Sequence, residues 1–197
     1  MSDEELLASA EYSFDSHNDM HLLHKRTREL AITALFCAIS FAVSFIQIPI
    51  FPAAPWLMYD PSGIVCLFAA WAFGPHIGFT VAVLSWIPRF FFDPFGTPMG
   101  ILSTCAFILP VALFLKNTSN FSSFIKSMII GAVLSILATC ALNLVVTPLY
   151  AHISFKQALS LILPVVFPFN TLKMALNVLL SSMLYSPLTH LFHEYAH

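Results

Sequence analysis

Charge is what this sequence has least of. Only 9% of its 197 residues are Asp, Glu, Lys or Arg, against 58% hydrophobic residues, and the mean hydropathy is +0.84. The first 29 residues hold seven acids and three bases, so the other 168 share three acids, Asp60, Asp93 and Glu194, and five bases. A globule in water could not cover its surface with so few charges. Eight scattered Lys and Arg, with a net charge of -2, form no basic stripe, which excludes nucleic acid as a partner. Cysteine is also sparse: Cys37, Cys66, Cys105 and Cys140 stand far apart in apolar segments. No disulfide framework or redox pair is implied, and they read as small hydrophobes. The amino terminus lacks a basic and then apolar run, so no cleavable signal peptide is expected, and residues 1–24 read as a flexible polar cytosolic tail.

Long apolar runs remain, and a bilayer is the solvent they suit. Proline, glycine and charge interrupt them at 49–61, 74–76, 93–98, 116–123 and 148–157. The chain therefore reads as an all-α, multi-pass membrane protein whose domain, 25–197, has six transmembrane helices near 27–48, 62–74, 76–92, 98–115, 124–146 and 158–189. Lys25, Arg26 and Arg28 precede the first helix, and Lys116 and Lys126 flank the loop between the fourth and fifth. The positive-inside rule puts both regions, and hence both termini, in the cytosol, which leaves loops 49–61, 93–97 and 148–157 outside the cell membrane.

Lys173 is the sharpest feature, since an ammonium within the apolar run 161–180 is costly unless paired, wetted or functional. Asn170 stands one turn before it, next to Pro168, and Asn143 lies late in the fifth helix. Two amides and a lysine present donors and acceptors to a polar heterocycle or a carboxylate. The plainer alternative has the amides joining helices and Lys173 snorkelling outward. The loop 49–61 has four prolines in 13 positions and reads as a preformed lid carrying Trp56, Leu57, Met58, Tyr59 and Asp60 over the ligand. Ala34 and Ala38 belong to a four-residue alanine repeat on helix 1 that admits close helix packing, for which the sequence alone favours an internal partner. Arg89 is expected to meet lipid headgroups or pair with Asp93. His17, His21 and His24, and His190, His193 and His197, have helical spacings but lie in polar terminal segments, so no metal site is expected.

Four segments together resemble the substrate-binding membrane subunits, or S components, of energy-coupling factor vitamin transporters, especially their riboflavin-binding branch. They are the helix 1 alanines; Pro-Trp-Leu-Met-Tyr-Asp-Pro-Ser-Gly-Ile at 55–64 with Phe73-Gly74-Pro75 after it; Ala141-Leu142-Asn143 leading to Pro148-Leu149-Tyr150; and Phe167-Pro168-Phe169-Asn170-Thr171-Leu172-Lys173. The resemblance covers about residues 28–188. It implies a six-helix subunit that captures a vitamin from outside and associates with a transmembrane coupling subunit and two cytosolic ATPase subunits. The partners would bind the ATP, and no cofactor is expected on this chain, which has no phosphate-binding glycine loop followed by Lys and Ser or Thr. It further implies ligand contacts at Asn143, Asn170 and Lys173 and a docking face at Ala34 and Ala38. Relatives usually carry a Lys-Asn pair late in helix 3 and Asn-Phe opening helix 4, where this chain has Ser85-Trp86 and Gly100-Ile101. Riboflavin is the first expectation, with pyridoxine or pantothenate next.

Two other classes compete. A membrane-embedded enzyme needs a nucleophile and base within the spans, which hold almost no acids. A channel needs polar faces running through several helices, whereas here the polar groups gather toward one side.

Overall fold

The computed structural model describes residues 3–52, 54, 57–115 and 120–195, with side chains at 20 and from 22 to 189 within these. Trp56, Lys116 and the side chains of His17, His21, His190, His193 and His197 lie outside the described set. The described residues form α1 (Asp3–Ser44), α2 (Ser62–Phe73), α3 (Pro75–Leu84), a 3-10 helix (Ile87–Phe91), α4 (Gly96–Phe114), α5 (Phe121–Ala151), α6 (Phe155–Leu161), a π-helical turn (Ile162–Val166) and α7 (Phe167–Tyr195). No strand occurs among them, only one antiparallel bridge between Ile48 and Tyr59. Four helical stretches, Leu22–Ser44, Gly96–Phe114, Phe121–Ala151 and Phe155–Thr189, are long and apolar enough to cross a membrane.

Several boundaries differ from the sequence expectation, each with a local cause. The segment 3–24 is helical, so α1 begins 24 residues before the expected start; acids in its first turns suit the positive end of a helix. The third helix stops at Leu84 and passes through a 3-10 turn, because Pro88 disfavours α geometry at Ile87 and has no N–H to donate. Pro148 does not end α5, which runs one turn further to His152 in the left-handed conformation. The last rod starts at Phe155 behind a Ser154–Gln157 capping box. Between Pro164 and Pro168 it loosens, and the Phe167 N–H donates to Ile162 O, five residues back.

α2 and α3 form a hairpin at Gly74, whose φ of 96° suits glycine. α4 packs along α5, α5 on α7, and α2 against α1, α3, α4 and α7. Two-thirds of α2 is buried, so this 12-residue helix is walled by protein. α1 packs on α2 and α3, and its last turn also meets the 3-10 helix, where Ser44 O accepts from Arg89. Its Phe36, Cys37 and Ser40 face inward, while Ala31, Ala34, Leu35, Ala38, Ile39 and Ala42 are exposed. The internal packing expected for Ala34 and Ala38 is therefore absent.

Candidate ligand-binding site

Successive helices alternate in direction, so the end of α1, the start of α2, the end of α3, the start of α4, the end of α5 and the start of α7 share one end of the bundle. A cavity of about 500 Å³ opens there, within the usual range for small-molecule sites. Asn143, Asn170, Lys173, Leu57, Met58 and Asp60, all singled out in the sequence, line it. Tyr59 does not. It is 3% exposed, its hydroxyl donates to Asn177 Oδ1 at 3.0 Å, and its backbone pairs with Ile48 through two 2.9 Å hydrogen bonds. It thus pins the base of the lid. Burial, with the Asp60 charge adding to it, pushes its phenol up to about 12.

Lys173 does not snorkel. Its Nζ lies 3.5 Å from Asp60 Oδ2, the only ion pair among the described residues, with side chains 13% and 7% exposed. Asp60 Oδ1 in turn accepts from the Ser62 N–H at 3.2 Å and from the Ser62 hydroxyl, satisfying an otherwise orphaned donor at the start of α2. The pair joins the lid to α7 across 113 residues of sequence.

The amides are held by their own helices. Asn143 Nδ2 donates to Thr139 O at 2.9 Å and its Oδ1 accepts from the Thr147 hydroxyl at 3.0 Å. Asn170 Nδ2 donates to Val166 O at 2.9 Å, the last residue of the π turn, which leaves its Oδ1 with no protein partner among the described residues. Behind Asn143, Thr139 donates to Ser135 O, and the Ser135 and Ser103 hydroxyls meet at 2.9 Å. This polar seam between α4 and α5 reaches the cavity at Thr139 and Ser103.

The opposite wall was not expected. Arg89 neither faces headgroups nor pairs with Asp93: it is 7% exposed, donates from Nη1 to Ser44 O, and lies 5.0 Å from the Trp86 ring. Asp93 instead accepts from the Gly96 N–H at 2.7 Å. Trp86 lies against Gly100, where a Cβ would collide with its six-membered ring. Arg89, Asp93, Trp86, Gly96 and Gly100 all line the cavity. The signal was present in a lone arginine within Trp86-Ile87-Pro88-Arg89 and in glycines four residues apart opening α4.

A helix bundle with one end hollowed, walled by apolar side chains and a few convergent polar groups, defines a membrane-embedded small-molecule binder. Residues 28–185 match the family model for the substrate-specific component of ECF transporters, and the chain belongs to that family. It is 28% identical over 158 residues to Riboflavin transporter RibU of Staphylococcus aureus (strain TCH60), covering 76% of this chain and 84% of that protein. Against Riboflavin transporter RibU of Streptococcus thermophilus (strain ATCC BAA-250 / LMG 18311) it is 26% identical over 175 residues, covering 82% and 83%. A solved structure of the S component of a bacterial ECF transporter superposes with a TM-score of 0.73 at 28% identity, covering 84% of this chain and 98% of the other. The protein is thus a transporter component and not an enzyme, which sets the membrane-enzyme alternative aside.

Proposed function

We propose that this chain captures riboflavin at the outer face of the cell membrane and presents it to an ATP-driven import complex. One observation carries the reading: a cavity at one end of the bundle where Asn143, Asn170 and the Asp60–Lys173 pair meet. Both similar proteins named above are riboflavin transporters by name, which favours riboflavin over pyridoxine or pantothenate. In the proposed topology the six rods each cross, with α2 and α3 shielded by their neighbours. Lys25, Arg26, Arg28 and Lys126 lie at the end away from the cavity, so the positive-inside rule keeps both termini cytosolic and turns the cavity outward.

The proposed partners are a transmembrane coupling subunit and two cytosolic ATPase subunits, with the coupling subunit docking on the exposed Ala34 and Ala38 face of α1, where small side chains permit close helix approach. The test is purification followed by absorbance and mass spectrometry of what co-purifies, then titration of the stripped protein with riboflavin, pyridoxine and pantothenate. Saturable riboflavin binding that the other two do not compete supports the reading. Tighter binding of either competitor sinks it.

A further inference from the structure

The two cations in the cavity are not equivalent. Lys173 has a carboxylate partner. Arg89 has none within ion-pair distance, since Lys173–Asp60 is the only ion pair among the described residues and Asp93 Oδ1 is engaged by the Gly96 N–H. A guanidinium carries five N–H donors, and among the described residues the one hydrogen bond from the Arg89 side chain goes to Ser44 O. Trp86 beside it is 5% exposed, and its indole Nε1–H is buried with no hydrogen-bond partner. Buried donors left without acceptors are costly, so this wall is built to receive acceptor atoms from water or a ligand.

The charges narrow what those atoms belong to. Lys173 and Arg89 against Asp60 and Asp93 leave the lining formally neutral. A carboxylate or phosphate placed at this wall would face Asp93 as a like charge, whereas hydroxyl groups accept from Arg89 and Trp86 while donating to Asp93. The 3-10 helix bearing Arg89 packs on α3 and α4, whereas Asn143 stands on α5 and Asn170 and Lys173 on α7, so the two sets of polar groups reach the cavity from different elements. We infer that Arg89, with Trp86, is the specificity-determining group for an uncharged, polyhydroxylated arm of the ligand, while the flat amide-bearing part lies toward α5 and α7. This rests on the riboflavin reading above and assigns the two ends of that ligand.

The experiment compares riboflavin with lumiflavin, which has the same ring system and a methyl group in place of the hydroxylated chain, by flavin fluorescence titration of the purified protein. The wild type is expected to prefer riboflavin by at least about tenfold, the scale of a lost buried hydrogen bond. Arg89→Gln should bring the ratio of the two affinities toward one, and Trp86→Phe should lower it in the same direction by about threefold. Trp86→Phe also keeps the test open if loss of the Ser44 contact prevents Arg89→Gln from folding, which thermal unfolding monitors. An unchanged ratio in the folded variants overturns the assignment while leaving riboflavin as the ligand. Tighter wild-type binding of flavin mononucleotide than of riboflavin means that the wall reads an anion and overturns it too. Failure of the wild type to bind either riboflavin or lumiflavin overturns the riboflavin reading and this one with it.

Discussion

Replacing Lys173 with Met separates the structural part of the ion pair from its part in binding. At 3.5 Å, two unit charges attract by about 5 kcal/mol at an effective dielectric of about 20, and desolvation of both partners offsets much of that. Removing the lysine leaves Asp60 buried but still hydrogen-bonded to Ser62. The expected loss of stability is therefore about 2–4 kcal/mol, at or below the range for breaking a buried pair. Adding Asp60→Asn to Lys173→Met removes the orphaned carboxylate and should restore about half. Ligand affinity should follow a different course. Lys173 lines the cavity, so both single and double variants should bind riboflavin at least about tenfold more weakly, 1.4 kcal/mol per decade. Asn170→Leu should lose a similar factor. Thermal unfolding reads the first quantity and titration calorimetry on the folded variants the second. Unchanged affinity in both Lys173→Met and Asn170→Leu, or affinity regained along with stability in the double variant, would refute the reasoning. Lys173 would then serve only as the counter-ion of Asp60.

Four further outcomes are expected. Ala34→Trp with Ala38→Trp should abolish complex formation and uptake while the isolated subunit still binds ligand; loss of binding as well would show that the face packs internally. Gly100→Leu should push the Trp86 ring into the cavity and weaken binding more than about tenfold with helix content kept by circular dichroism. Tyr59 has its phenol raised from 10 to about 12, so its proton stays on the folded chain while the unfolded chain releases it. Stability should fall as pH rises from about 10 toward 12, and Tyr59→Phe should flatten that slope in melts taken across the range. Cysteine placed at Pro52, which is exposed, should react with an impermeant label from outside, and one at Asn120 should not; the reverse pattern would invert the topology.

The helices were legible because an apolar run in a chain this poor in charge has few structural options. Their ends were less so. Proline was read as a stop at 148, yet in a packed apolar rod neighbouring groups satisfy the freed carbonyl and α5 continues. The π turn Ile162–Val166, with Pro164 inside it and Pro168 just after, is not visible in hydropathy. In the site, Asn143, Asn170 and Lys173 stood out as polar groups inside apolar runs. Arg89 did not, because a cation at a helix end ordinarily reaches water. Only packing shows that Trp86, Ser44 and the start of α4 enclose it. The Asp60–Lys173 pair was illegible for another reason: no local spacing connects a loop before α2 with the second turn of α7.

The distribution of polarity along the bundle bears on how such a protein can act. Beneath the cavity a small gap lined by Gly63, Thr104, Phe107 and Asn177 has no room for a water molecule, and Leu67, Ile108 and Met128 below it are fully buried. Further on, Phe68, Trp71, Phe124 and Tyr185 meet with ring centroids 4.7–6.1 Å apart. A polar ligand seated beside Asn143 therefore faces an apolar plug across the rest of the bundle and meets none of the continuous polar lining that conduction requires. Among the described residues no open path continues from the cavity through the bundle. Release on the far side needs either a rearrangement of the whole bundle or work done by another subunit, which is the division of labour expected of a substrate-specific component. α1, packed on α2 and α3 and presenting its alanine face outward, also meets the cavity wall, through the bond from Arg89 to Ser44 at its last turn. In the proposed arrangement binding and docking would use different faces of one helix, which is why substitutions at Ala34 and Ala38 should block transport without emptying the site.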